Sequence, residues 1–327
     1  MELINKYQNG PVTVEIYDDG TKIREWDDEK YGIEPELEFA ESLDIKCTNF
    51  CDMNCAWCHE KSSTLGKHGN LTKFMDIIEK SNLPKGVEMA IGGGNPLDHP
   101  EIWQFLRFCQ NKGIIINMTV NLNHLCQTTY HARMVRFIQQ KLVKGIGISI
   151  TNNTFINKEA LDTLTVFSKL SNNIVLHIIE GINDYKVFDN RLFDWVNKNH
   201  ISPKVLILGK KDFGRYANFS KEQQEIDNRK TIEWEKNICR FIRRVSKVNG
   251  VVSFDNLAIE RLKLLSKLPE KVVSQNYMGA DGTYRGYCDL VEWKFAKQST
   301  SPMDKRYDIG DLSLRDIYKK IYNIRKD

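Results

Sequence analysis

The sequence predicts an α/β protein built around a parallel β-sheet, and two patterns support this prediction. Six apolar runs rich in Ile and Val alternate with six amphipathic segments of helical length between residues 43 and 248. Continuous apolar runs are typical of strands that are buried on both faces, as in parallel sheets. Because strand–helix–strand crossovers are right-handed, the expected sheet is either open or curled into a barrel.

The six strand–helix units follow one another without a repeat, a low-complexity tract or an obvious linker. The strands are predicted at residues 43–47, 86–91, 114–120, 145–151, 173–179 and 204–208. The helices are predicted at residues 71–81, 100–112, 129–143, 158–170, 188–199 and 231–248. This regular order favours one principal domain with additions at both ends of the chain.

Different patterns flank this core. Residues 12–17 and 21–26 lie on either side of a DDG turn, so they predict an N-terminal β-hairpin. Beyond the core, a further strand is predicted at residues 251–255. Residues 281–296 have the pattern of antiparallel strands, and residues 314–326 have the pattern of a closing helix.

The composition indicates a globular protein that is not exported. Hydrophobic residues make up 41% of the chain and charged residues 28%. No apolar run approaches the roughly 18 residues of a membrane span, and the N-terminus lacks the basic start and apolar core of a secretory signal. The net charge of +4 permits an anionic substrate without indicating nucleic acid. We therefore expect a cytoplasmic protein with no membrane partner.

Four of the eight cysteines are crowded into the run CTNFCDMNCAWC, with the spacing Cys47-x3-Cys51-x3-Cys55-x2-Cys58. Thiols spread so unevenly argue against a disulfide framework and favour a metal or redox site. Zinc sites usually use two well-separated cysteine pairs, whereas a cluster of four irons and four sulfides fits closely spaced thiolates better. The run also follows the first predicted parallel strand, where α/β proteins keep their active sites. Zinc and unligated thiols remain the alternatives.

Within this run, Cys51-x3-Cys55-x2-Cys58, with the aromatic Trp57 before the last cysteine, resembles the signature of the radical SAM superfamily. The resemblance implies a partial (β/α)6 TIM-like barrel in which these three thiolates bind three irons of a [4Fe-4S] cluster. The fourth iron would bind the amino and carboxylate groups of S-adenosylmethionine (SAM), and Trp57 would pack near the adenine. Cys47 lies outside the motif, and we interpret it as a buried small apolar residue.

A second match follows the second predicted strand, in the segment AIGGGNPLDHPEI. Its residues Gly92, Gly93 and Gly94 resemble the glycine-rich GGE segment of the superfamily, whose backbone approaches the amino group of the methionine moiety. Asn95 stands where the family usually has a glutamate. Since an amide can still accept a hydrogen bond, either backbone carbonyls and Asn95 hold SAM or another acid replaces the glutamate.

Fainter matches follow the later strands. Ser149 and Asn152, after the fourth strand, lie where the family often contacts the ribose. The segment at residues 177–183 resembles one that stacks near adenine, although ordinary barrel packing explains it equally well.

The segment LILGKKDFGR (206–215), which includes Leu208 at the end of the sixth strand, resembles one whose backbone commonly meets the adenine edge in the family. The basic residues Lys210, Lys211 and Arg215 belong to it. They form either a solvated basic loop or contacts to a carboxylate or phosphate of SAM or substrate.

The remaining candidates are single residues. Cys288 lies in the predicted C-terminal extension, which in this family often closes the barrel mouth. It is a candidate hydrogen-atom donor to a substrate radical, with buried packing as the alternative. His59 and Glu60 follow the cysteine motif and are candidates to line the substrate cavity. The other cysteines are interpreted as packing residues: Cys109, Cys126 and Cys239.

The resemblance implies a radical SAM enzyme that receives electrons from a low-potential donor such as flavodoxin or ferredoxin. It implies reductive cleavage of SAM to methionine and a 5′-deoxyadenosyl radical, which takes a hydrogen atom from the substrate. We favour a peptide or protein substrate, because the N-terminal hairpin offers an edge for strand addition. The alternatives are a radical SAM enzyme for a nucleoside, nucleotide or small metabolite, and a non-catalytic iron–sulfur electron carrier or zinc-binding protein.

The expected domain organisation follows from these assignments. The C-terminal region has too few cysteines for the auxiliary-cluster domain that many relatives carry there. The expected parts are an N-terminal hairpin extension (1–36), the partial (β/α)6 barrel (37–249) and an α+β extension that closes the barrel (250–327).

Overall fold

The computed structural model describes residues 2–18, 20–32, 35–151, 155, 157–269, 272 and 282–323. Its strands are β1 (Leu3–Asn9), β2 (Val12–Tyr17), β3 (Lys22–Glu25), β4 (Ser42–Thr48), β5 (Glu88–Gly93), β6 (Ile115–Asn121), β7 (Gly145–Ser149), β8 (Ile174–Ile179), β9 (Lys204–Leu208), β10 (Val251–Phe254), β11 (Arg285–Asp289), β12 (Lys294–Ala296) and β13 (Tyr307–Asp308). Its helices are α1 (Asp28–Tyr31), α2 (Leu71–Ser81), α3 (Ile102–Lys112), α4 (Leu122–Leu125), α5 (Thr128–Gln139), α6 (Lys158–Leu170), α7 (Tyr185–Asn199), α8 (Lys221–Lys247), α9 (Asn256–Arg261) and α10 (Leu314–Asn323).

All six predicted strand–helix units are present, from β4 and α2 to β9 and α8. The largest difference is in α8, which begins at Lys221, ten residues before the predicted start at 231. Ser220 caps this helix by accepting a hydrogen bond from the Gln223 backbone N–H at 3.2 Å. Its first turns are polar, so the apolar periodicity that predicted the helix begins only later. In the part of the chain that the structure describes, no helix has the length and apolarity needed to cross a bilayer.

The chain forms two compact units. The first contains Met1–Asp52, Ser62–Asn117 and Gly279–Asp327, and the second contains Met53–Lys61 and Met118–Met278. The two units divide the cysteine motif, because Cys51 belongs to the first and Cys55 and Cys58 belong to the second. The three-part domain organisation expected from the sequence stays a prediction.

The first unit contains two sheets. In one, β4 pairs in parallel with β5 on one side and with β11 on the other, and β11 is followed by antiparallel β12 and β13. The predicted antiparallel pair at 281–296 is therefore present, but its first strand also extends the parallel sheet. The other sheet has the order β1-β2-β3 and contains the predicted hairpin. The sequence missed β1, whose Asn, Lys and Gln residues have low strand propensity.

The second unit contains the parallel strands β7 to β10, in the order β10-β9-β8-β7. Strand β10 pairs with β9, so the run of parallel strands continues beyond the sixth predicted unit. Helices α7 and α8 bury the aromatic side chains of Phe188, Trp234 and Phe241, whose ring centroids lie 5.4–6.0 Å apart. Aromatic pairs at this spacing are favourable beyond the area that they bury.

Candidate functional site

The glycine-rich segment of the first unit lies against the chain that continues from β4. Gly93 has φ +111°, and a Cβ atom added there would lie 2.3 Å from the Thr48 carbonyl oxygen. A Cβ atom added at Gly94 would lie 2.1 Å from the Phe50 carbonyl oxygen. Glycine is therefore required at both positions. Gly93 needs it for its backbone conformation and for the close contact, and Gly94 needs it for the close contact. Gly92 differs, because a Cβ atom added there would meet no atom within 4 Å.

Asn95 is fully buried and closes this segment. Its backbone N–H donates to the Phe50 carbonyl at 2.7 Å. Its side-chain oxygen accepts from the Leu97 N–H at 3.2 Å, and its amide nitrogen donates to Asp98 Oδ2 at 2.8 Å. The amide thus caps the 3₁₀ turn Pro96–Asp98, which is a structural role that the family resemblance did not indicate.

The four clustered cysteines differ in burial. Cys47 is fully buried, its Sγ donates to the Gly92 carbonyl at 3.4 Å, and burial raises the pKa of its thiol to about 12. A buried, protonated thiol is a poor metal ligand, which favours the interpretation of Cys47 as a packing residue. The side chains of Cys51, Cys55 and Cys58 are all partly exposed. Their role as ligands stays a prediction.

In the second unit, Arg215 binds the loop that carries two of these cysteines. Its Nε donates to the Cys55 carbonyl at 2.8 Å, and its backbone N–H donates to the Cys58 carbonyl at 3.0 Å. The loop itself turns at Cys55–Cys58, where the Cys58 N–H donates to the Cys55 carbonyl at 3.1 Å. Trp57 lies in this turn and is partly buried. These contacts are an alternative to the predicted contact of Arg215 with SAM.

Ser149 and His177 are register partners on neighbouring strands β7 and β8. Directly paired residues of a sheet point to the same face, so their side chains are neighbours. A Cβ atom added at Gly147 would lie 2.2 Å from His177 Cε1, so this glycine makes room for the imidazole. Burial lowers the pKa of His177 to about 4, which keeps the ring neutral at pH 7. The predicted ribose contact Asn152 lies outside the described residues.

Leu208 ends strand β9, as predicted. Its carbonyl accepts a hydrogen bond from the Glu180 N–H at 3.0 Å. The carbonyl has a second lone pair, so this bond leaves it able to accept from a ligand as well. The predicted contact with adenine stays a prediction.

A buried ion cluster beside the glycine-rich segment was not anticipated. Asp289 Oδ2, at the end of β11, lies 3.1 Å from Lys46 Nζ and 3.2 Å from Arg306 Nη1. Its Oδ1 accepts from the backbone N–H groups of Val291 and Glu292, at 3.1 Å each. Buried carboxylates need such partners because burial without them is costly. This ion cluster links the carboxyl ends of β4 and β11. It could not be predicted from the sequence, because it depends on the pairing of these two distant strands.

Cys288 lies on β11 opposite Ile45 of β4. It is buried and lines a small apolar cavity with Leu43, Leu314 and Ile317. Burial raises the pKa of this thiol to about 12. Asp289, the next residue, points to the opposite face of the strand, where the ion cluster lies. This placement favours packing over the predicted role as a hydrogen-atom donor.

No protein-family model matches the chain, and no curated protein is detectably similar to it in sequence. Solved structures do match. SuiB of Streptococcus suis bound to S-adenosylmethionine aligns with a TM-score of 0.63 and 13% identity, over 92% of this chain and 70% of SuiB. SuiB bound to its precursor peptide SuiA aligns with a TM-score of 0.63 and 14% identity, over 92% and 69% of the two chains.

A further match is native anSMEcpe with bound AdoMet, which is S-adenosylmethionine, and the Cp18Cys peptide. It aligns with a TM-score of 0.51 and 11% identity, over 85% of this chain and 78% of anSMEcpe. At such low identity the comparison establishes the fold and nothing finer. The chain therefore shares the α/β fold of SuiB and anSMEcpe, which confirms the predicted fold class.

Proposed function

We propose that the chain is a radical SAM enzyme that acts on a peptide or protein. One observation carries this proposal: the motif Cys51-x3-Cys55-x2-Cys58 begins just after the first parallel strand of a fold that the chain shares with proteins solved with SAM bound. A cysteine motif alone would also suit zinc, and the fold alone suits many activities. Their combination favours the radical SAM assignment.

The donor set fits the proposed cofactors. Cys51, Cys55 and Cys58 are partly exposed thiols, and thiolates are the ligands that iron–sulfur clusters use. These three residues would hold a [4Fe-4S] cluster. When bound, the cluster and SAM supply the chemistry, namely reductive cleavage of SAM to methionine and a 5′-deoxyadenosyl radical that takes a hydrogen atom from the substrate.

The protein's own residues are proposed to bind and orient SAM. The open space beside Gly92 leaves its backbone accessible to a ligand, whereas Gly93 and Gly94 fix the path of the segment. Because the amide of Asn95 is used within its own turn, we assign the ammonium of SAM to backbone carbonyls. Trp57, Ser149 and Leu208 are proposed to contact the adenosine moiety.

A peptide substrate is the finer part of the proposal. SuiB was solved with a precursor peptide, and anSMEcpe was solved with the Cp18Cys peptide. Within the described residues of the N-terminal sheet, β1 and β3 pair with β2 alone, so each has an edge to which an extended peptide can add. A low-potential electron donor, flavodoxin or ferredoxin, belongs to the same proposal.

The test is anaerobic reconstitution with iron and sulfide. The wild type should bind about four irons per chain and, with dithionite, convert SAM to 5′-deoxyadenosine. Cys55→Ala should lose both properties, because a cluster ligand is removed. Cys47→Ala is the matched control and should keep both, since its buried thiol lies outside the proposed ligand set.

Other outcomes separate the alternatives. Binding of zinc in preference to iron would identify a zinc protein. A stable cluster without SAM cleavage at any reduction potential would identify an electron carrier. Peptides selected from a displayed random library should raise the rate of 5′-deoxyadenosine formation, and a response to a nucleoside mixture instead would favour the small-substrate alternative.

A further inference from the structure

We propose that the loop at residues 209–216, called here the clamp loop, holds the cysteine loop (residues 55–60) in the geometry needed for the cluster, with Arg215 as its main positioning residue. The proposal rests on the proposed function, because it concerns the same cluster. It goes beyond that function by giving the clamp loop a task in cluster retention and redox potential. The clamp loop, the cysteine loop and the residues that anchor them all belong to the second unit.

Arg215 makes two hydrogen bonds to the cysteine loop. One residue binds the carbonyls of two proposed ligand residues, with its guanidinium on Cys55 and its backbone N–H on Cys58. Bonds from an ionised donor are roughly twice as strong as neutral ones. The two bonds therefore fix the spacing of two ligand residues that the chain turn alone would leave to local flexibility.

The backbone of the clamp loop also approaches that of the cysteine loop closely at Gly214. Gly214 has φ +73°, and a Cβ atom added there would lie 2.4 Å from His59 Cα and 2.6 Å from the Cys58 carbonyl oxygen. Only glycine permits this conformation and this contact. The clamp loop and the cysteine loop thus meet backbone to backbone at the last cysteine of the motif.

Side chains of the two loops also meet beyond the last cysteine of the motif. Lys211 Nζ lies 3.1 Å from His59 Nε2, and the same His59 nitrogen lies 3.2 Å from Glu60 Oε1. The Phe213 ring packs edge-on against His59, with ring centroids 5.8 Å apart. These contacts tie down the end of the cysteine loop, which the sequence had assigned only to the lining of a substrate cavity.

The clamp loop is itself anchored in the core of its unit. The Lys210 backbone N–H donates to Glu180 Oε1 at 2.9 Å, and Lys210 Nζ donates to the Tyr216 hydroxyl at 2.6 Å. Glu180 is fully buried and also accepts from Arg261 Nε at 2.5 Å and from the Thr231 hydroxyl. A loop held at this depth can keep another loop in place, which a solvated basic loop could not do.

Two consequences follow for the cluster. Looser ligands release iron faster, and a hydrogen-bonded cation beside a cluster favours the reduced state, which carries one more negative charge. Loss of the Arg215 charge should therefore speed iron loss and lower the reduction potential. Arg215→Lys keeps the positive charge but lacks the planar guanidinium. It should therefore bring the reduction potential closer to the wild-type value than the rate of iron loss.

The experiment uses reconstituted wild type, Arg215→Gln, Arg215→Lys and the control Arg229→Gln, which removes the same charge from an exposed site on α8. For Arg215→Gln we expect about tenfold faster transfer of iron to a chelator, the scale of one charge-assisted hydrogen bond. Its one-electron midpoint potential, followed by electron paramagnetic resonance, should fall. The control should match the wild type. Equal iron loss and potential in Arg215→Gln and wild type would overturn the proposal.

A second readout needs no cluster. In the iron-free protein, hydrogen exchange of the Cys58 and Lys61 amides should be faster in Arg215→Gln than in Arg229→Gln, because the Cys55–Cys58 turn is released. If wild type binds no cluster but this difference is present, the proposed function fails and the clamp remains as a structural contact only. If exchange is unchanged, the clamp itself is wrong. Gly214→Ala, which disturbs the same contact without changing charge, should reproduce the exchange result.

Discussion

The glycine-rich segment and the cysteine loop are held in place in different ways. Gly93, Gly94 and Asn95 are fixed by close backbone contacts and by a cap formed within four residues. Cys55 and Cys58 are held by Arg215, which lies 160 and 157 positions further along the chain. The first arrangement follows from the residue types within the segment itself. The second depends on a distant partner, Arg215, which no local sequence pattern indicates.

This difference explains why the two regions were predicted unequally. A run of three glycines already indicates that the backbone must approach something closely. An arginine in a basic loop carries no such signal, because most such residues are solvated. The comparison therefore predicts that substitutions in the glycine segment act locally and strongly, while those around the cysteine loop act through distant contacts.

The largest effect is expected from Gly93→Ala. The new Cβ atom would lie 2.3 Å from the Thr48 carbonyl oxygen, and φ +111° is unfavourable for alanine, so we expect a loss of roughly 3 kcal/mol or more in the free energy of unfolding. Gly92→Ala is the matched control and should change stability by less than about 1 kcal/mol, since its Cβ meets open space. Urea unfolding of the iron-free protein measures both. Equal losses would show that the segment is held in some other way.

In the second unit, Gly147 makes room for the imidazole of His177 on the neighbouring strand. With the folded pKa near 4 and an unfolded value of about 6.5, the unfolded state binds more protons between these values. The free energy of unfolding should therefore fall as the pH drops from 6.5 towards 4, by up to about 3 kcal/mol.

His177→Gln should remove this part of the pH dependence, as measured by urea unfolding at pH 7 and pH 4.5. The control is His200→Gln, which removes an exposed imidazole. A His177 variant with an unchanged pH profile would show that the ring is not desolvated.

The smallest effect concerns Asn95. Loss of its cap in Asn95→Ala should lower the free energy of unfolding by about 1 kcal/mol. Asn95→Glu should lower it further, although glutamate is the residue usual in the family, because the longer carboxylate would be buried beside Asp98. Thermal unfolding and SAM titration test this pair. A Glu variant that is as stable as wild type and binds SAM more tightly would contradict the capping role.

Much of the fold could be predicted because each element carries its own pattern. The six β/α units, the N-terminal hairpin and the closing helix α10 followed from apolar periodicity and turn residues. The start of α8 was missed because its first turns are polar, although Ser220 with Gln223 has the spacing of a capping box. Strand β1 was missed because its residues favour no strand on their own.

The motif of Cys51, Cys55 and Cys58 and the glycines after the second strand can be read from the amino-acid sequence alone, since both are spacings within a few residues. The face of β11 that Cys288 occupies follows from the tertiary structure and not from the sequence, because a strand buried on both faces shows no polar–apolar alternation. The tertiary structure alone pairs Asp289 with Lys46 across 243 positions and brings Arg215 to the cysteine loop. Such contacts depend on strand pairing and loop packing between distant segments, which residue type and local spacing do not specify.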